Sequence, residues 1–201
     1  MDANRDVGEA TFGVPDAIAA YRNYSNFILK AKAAISGSGL LLDVHGQAHT
    51  TAGGAWIEIG YTIIKKRLNN GKFWRTLSSV NNLGRKLCNS ESNTNNPCFK
   101  DLIRGTKKSL GHFMNLAELR AVPSPNDPYP EDEAYYSGGF TVKEYGSKHG
   151  GNIDAIQLEF PRPLRYHWPQ DKEAVVSAIL CYFKANYQPY IKIPRSVPCS
   201  E

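Results

Sequence analysis

Leu40-Leu41-Leu42-Asp43-Val44-His45-Gly46 is the stretch whose reading decides the fold. Its apolar residues run on almost without alternation. A strand with one wet face would alternate, so this run predicts a short strand buried on both faces. Upstream, Ile18, Tyr21, Ser25, Ile28, Ala31 and Ile35 fall at helical spacing. They predict a helix from Pro15 to about Ile35, with Pro15 suited to its first turn. Gly37-Ser38-Gly39 ends it. Helix, glycine turn and buried strand form the rhythm of an α/β sheet.

Downstream, Trp56–Ile59 reads as a second strand running on towards Ile64. Residues 69–99, rich in Asn, Ser and Gly, read as loop. Asp101–Arg104 and Ser109–Leu119 read as helical. The prolines of Val122–Pro130 leave little room for helix. Phe140–Tyr145 and Ile153–Phe160 read as strands. Pro169–Tyr187 reads as a final helix, with Asp171 and Glu173 near its N-terminus, where the macrodipole favours acids. No internal repeat, linker or low-complexity tract divides residues 1–201, so one domain is expected.

At 201 residues, 41% hydrophobic and 21% charged, the composition is that of a globular chain and excludes a disordered one. No apolar run approaches the roughly 20 residues that span a bilayer, so no membrane partner is expected. The net charge of +5 is mild, and its carriers, such as Lys65, Lys66, Arg67, Lys107 and Lys108, are scattered. No nucleic-acid signature accompanies them. Solvated faces are the plain reading; a basic stripe for matrix polyanions is the other.

The four cysteines allow three pairings. Cys88 with Cys98 and Cys181 with Cys199 is preferred, since these bridges would pin a long polar loop and a tail. That pairing implies an oxidising compartment, hence secretion. Four reduced, buried thiols in an intracellular protein are the alternative. Asn23-Tyr24-Ser25 is a glycosylation sequon, a weak signal. Met1 is followed at once by Asp2, Asn4, Arg5 and Asp6, which does not read as a signal peptide.

Three places carry chemistry. Asp43 and His45 stand at the carboxyl end of the first strand, where open α/β sheets bind ligands. His45 before Gly46 suits a metal ligand, though a lone His is more often structural. Glu159 closes an apolar strand just before Pro161. Burial there should raise its pKa and suit it to general-base work. A structural pair with Arg162 or Arg165 is the competing reading. Asp2-Ala3-Asn4-Arg5 offers an Arg fork for a carboxylate, or else an ordinary frayed terminus.

In order, DANR (2–5), LLLDVHG (40–46), YYSGGFTV (135–142) and GGNIDAIQLEFPRPLR (150–165) resemble the N-formylglutamate amidohydrolase-like family. The resemblance runs from Asp2 to about Leu180. It implies an α/β three-layer sandwich with a mostly parallel mixed sheet, of the phosphorylase/hydrolase-like, zinc-dependent exopeptidase-like type. It also implies a zinc-dependent hydrolase of amide bonds in N-acyl amino acids or similar small carboxylated substrates. His45 would be a zinc ligand, Glu159 the catalytic base, and Asn4 with Arg5 the grip on the substrate carboxylate. Tyr136, Gly138, Gly139 and Phe140 match a glycine-rich segment beside the active site.

The family's first zinc motif precedes DANR. None of His49, His112, His149 and His167 lies there. The expectation is an N-terminally truncated chain whose other zinc ligands lie upstream of Met1. The runner-up is a secreted extracellular-matrix or shell-matrix protein that reuses the fold without catalysis. Oligomeric state is left open.

Overall fold

The computed structural model describes residues 2–49, 51, 54–73, 75–88, 97–187 and 199. Among them, the strands β1 (Gly39–Gln47), β2 (Ile57–Gly60), β3 (Ala121–Val122) and β4 (Ile153–Pro161) form one sheet in the order β1-β4-β2-β3. β1 and β4 are parallel, as are β2 and β3, while β2 runs antiparallel to β4. The fold is mixed α/β with a mostly parallel mixed sheet. The helices are α1 (Val7–Thr11), α2 (Pro15–Ala33), α3 (Lys65–Asn69), α4 (Asn81–Leu87), α5 (Pro97–Arg104), α6 (Leu110–Leu116), α7 (Phe140–Tyr145), α8 (Arg162–Tyr166) and α9 (Trp168–Tyr187).

β4 is the centre and is buried along its whole length. Its Ile156, Leu158 and Phe160 meet Ile57 and Ile59 of β2 in the core. Leu102, Ile103, Leu110, Met114, Tyr182 and Tyr187 close that core from α5, α6 and α9. The two-residue period of β4 thus divides an apolar face from the face bearing Gln157 and Glu159.

Four expectations are corrected. β1 is an edge strand and is not buried on both faces: Leu40 and Leu42 pack on the core, but Val44 is 57% exposed. β2 stops at Gly60 because the backbone turns into the left-handed region at Thr62, φ 62°. Phe140–Tyr145 is a helix, not a strand. Its β-prone composition is overridden by a cap from the far end of the chain. Asn4 accepts Thr141 N–H through Oδ1 at 3.0 Å and Phe140 N–H through its backbone carbonyl at 3.3 Å.

Residues 69–99 were expected to be loop, yet α4 and the start of α5 lie there. A distant cap again explains α4. The Asp154 carboxylate, on β4, accepts the N–H groups of Asn82 and Leu83 at 3.1 Å. Tyr187 Oη donates to the same carboxylate at 3.0 Å, and Ser147 Oγ and Asn82 Nδ2 also donate to it. One buried acid therefore ties β4, α4 and α9 together.

Cys88 pairs with Cys98 and Cys181 with Cys199, at Cα separations of 5.7 and 5.6 Å. These are the preferred pairings, and disulfides of this kind persist in oxidising surroundings. Each closes a loop worth about 3 kcal/mol in the chain-entropy account. The polar stretch at 89–96 and the tail at 188–198 lie outside the described residues. No helix among the described residues is long and apolar enough to cross a membrane.

Candidate functional site

His45 stands opposite Glu159 in the β1/β4 register, and Asp43 opposite Gln157. Glu58 of β2 stands opposite Glu159 from the other side. Residues opposed in register point to the same face of a sheet. One face near the carboxyl ends of β1 and β4 therefore carries Asp43, His45, Gln157, Glu159 and Glu58. An open cleft of about 600 Å³ lies there, and Asn4, Arg5, His45 and Glu159 all line it. The structure thus brings all four sequence candidates to one place.

Local bonds show how each is held. Tyr21 of α2 donates its hydroxyl to the Arg5 carbonyl at 3.0 Å, which anchors the DANR segment. Asp6 caps α1 by accepting the Gly8 and Glu9 N–H groups. That helix puts Glu9 one turn beyond Arg5. The Arg5 guanidinium donates from Nε to Asp2 at 2.9 Å and lies 3.5 Å from Glu9. The side chain is 59% exposed, so these pairs hold it in place without sealing it off.

Gln157 was not singled out from the sequence, yet it is the hub. Its Oε1 accepts the Gly139 N–H at 2.6 Å and Asn4 Nδ2 at 3.2 Å. Its Nε2 donates to Glu159 Oε1 at 2.7 Å. The available signal was period two: a polar residue two positions before a candidate base shares its face. Burial pushes the Glu159 carboxyl above its ordinary value, and the nearby Glu58 and Asp43 add to this. His45 and the Gln157 bond oppose the rise. Arg165 donates instead to the Phe160 and Gln47 carbonyls, and among the described residues no ion pair joins it to Glu159.

His45 Nε2 lies 3.0 Å from Asp43 Oδ1 and 3.4 Å from Asn4 Nδ2. On a neutral ring Nε2 either donates to Asp43, which leaves Nδ1 as the lone-pair nitrogen, or accepts the Asn4 amide hydrogen. Burial raises the Asp43 carboxyl, against the pull of His45, and Asp43 Oδ2 is buried without a partner among the described residues. A carboxylate bonded to one imidazole nitrogen is the usual support of a metal-bound His. Among the described residues no three His, Cys, Asp or Glu side chains converge on a point. A catalytic zinc takes three protein ligands and a water. The described residues do not fit a complete zinc site.

Gly139 makes room for this frame. A Cβ there would overlap the Asn4 side chain. Gly139→Ala is expected to push Asn4 aside and uncap α7. The stability loss should stay near 1 kcal/mol, as for a lost cap, while any activity of the cleft falls much further. Paired denaturant melts and assays check that imbalance.

No family model, curated protein or solved structure matches the chain.

Proposed function

We propose that the cleft is the substrate site of a hydrolase acting on amide bonds in N-acyl amino acids or similar small carboxylated compounds, built on a three-layer phosphorylase/hydrolase-like frame. One observation carries the reading: Asn4 with Arg5, His45 and Glu159, from three distant parts of the sequence, line one cleft. Arg5 supplies a charged fork for the substrate carboxylate, with Asn4 beside it. Glu159 takes a proton from water as its oxygen attacks the acyl carbon. The C–N bond then breaks, and Glu159 passes that proton to the leaving amine. Asp43 keeps the His45 ring in one orientation.

The test is turnover of a panel of N-acyl amino acids by the purified protein in the presence of zinc. Arg5→Ala is expected to raise KM at least about tenfold and to change kcat less, because a carboxylate grip binds ground and transition states alike. Wild-type protein that hydrolyses none of the panel overturns the reading. Metal analysis addresses zinc separately. One ion per chain, lost in His45→Ala, is the result expected of a zinc enzyme with donors beyond those described.

The second reading is a secreted matrix protein that keeps the frame without the chemistry. The incomplete donor set among the described residues favours it. Both readings place the protein outside the cell, where its two disulfides would persist.

A further inference from the structure

Beside the proposed base lies an assembly that the mechanism above does not use. Glu58 is 0% exposed, a carboxylate fully withdrawn from water in an otherwise apolar strand. A buried acid survives there only with good partners. Its Oε1 lies 2.7 Å from His49 Nδ1, and its Oε2 accepts the Tyr136 backbone N–H at 2.6 Å. The His49 and Tyr136 rings stack, with centroids 4.6 Å apart and planes 26° from parallel. One acid therefore fixes both members of the stack, one through its ring and the other through its backbone.

Tyr136 is nevertheless 48% exposed and lines the same cleft as Arg5 and Glu159. One ring face rests on His49, and the ring stays half open to the cleft. Rigid aromatic surface held this way binds flat groups at little entropic cost, because nothing has to be ordered on binding. At about 600 Å³ the cleft falls in the size range of sites for drug-sized ligands, which leaves space for a ring beside the carboxylate.

We propose that Tyr136, backed by His49 and anchored by Glu58, is an aromatic platform that selects carboxylated substrates bearing an aromatic ring. This rests on the carboxylate-binding reading above and names its substrate class. The polar frame of Arg5, Gln157 and Glu159 serves any small acid; the platform distinguishes among them.

Titration calorimetry with N-acetylglycine, N-benzoylglycine and N-acetylphenylalanine tests it, every protein, the one with wild-type Tyr136 included, carrying Glu159→Gln so that the compounds bind without being hydrolysed. The three share a carboxylate and an amide; the ring is absent, on the acyl side, or on the amino-acid side. The protein with wild-type Tyr136 should bind at least one ring-bearing compound about tenfold more tightly than N-acetylglycine. Tyr136→Phe should keep that ratio and Tyr136→Ala should bring it close to one, with unchanged circular dichroism showing that both variants fold. A ratio near one with wild-type Tyr136, or a ratio that survives Tyr136→Ala, overturns the platform. Failure to bind even N-acetylglycine overturns the carboxylate reading itself and the platform with it.

Discussion

Glu159→Gln should cut amide hydrolysis at least about a hundredfold, the usual cost of losing a general base. The substitution is close to isosteric. Gln157 Nε2, which donates to Glu159 Oε1 at 2.7 Å, can still donate to the amide oxygen, so the frame should survive. Only the proton-accepting oxygen is lost. Unchanged turnover would show that Glu159 is not the base.

The same variant carries a stability signature of known sign. Burial holds the Glu159 carboxyl above its ordinary value of 4.5, so the folded protein binds this proton more tightly than the unfolded chain does. The resulting stability is fully present below that ordinary value and is lost as pH rises through the folded pKa. Glu159→Gln removes the ionisation. Its melting temperature should match the wild type near pH 4 and exceed it near pH 8. Such an exchange of stability for activity is common at active sites. A variant that melts below the wild type near pH 8 would mean that the buried charge is better compensated than its surroundings indicate.

Asp154→Asn should be the most damaging change outside the cleft, at about 3 kcal/mol, or a fall in Tm of roughly 10 °C. The carboxylate receives hydrogen bonds from the Asn82 and Leu83 N–H groups, Asn82 Nδ2, Ser147 and Tyr187. Ser147 and Tyr187 can rotate their hydroxyls to accept. The two backbone N–H groups cannot, and one faces each carboxylate oxygen, so an amide at 154 sets donor against donor in the dry interior. Burial raises the Asp154 carboxyl while these bonds pull it down. Tyr187→Phe removes a single donor and should cost about 1 kcal/mol. If Asp154→Asn melted like the wild type, the acid would not be the tie between β4, α4 and α9.

How much of the site was legible follows from where its signals lie. His45 and Glu159 could be found because each ends an apolar strand, where a polar residue stands out. Asn4 and Arg5 needed the family resemblance; nothing local separates them from a frayed terminus. Gln157 hid behind Glu159, and Glu58 sat in an apolar strand without an obvious use. Their roles exist only through register: Glu58, Glu159 and His45 form a row because three strands align there.

The sequence by itself determined the elements whose information is local. The long helices α2 and α9 have their own periodicity, β4 has its apolar run, and the four cysteines have a spacing that prefers the observed bridges. Only the tertiary structure decided α4 and α7, because their first-turn N–H groups are capped from elsewhere: Asp154 lies 72 positions from Asn82, and Asn4 lies 137 from Thr141. Short helices gain little from propensity and depend on such contacts. The same holds for Leu40–Gly46. Its hydrophobicity called for a strand, but a strand's place at the edge or the centre depends on its neighbours. Here β4 took the centre and left β1 at the edge, with His45 facing the cleft.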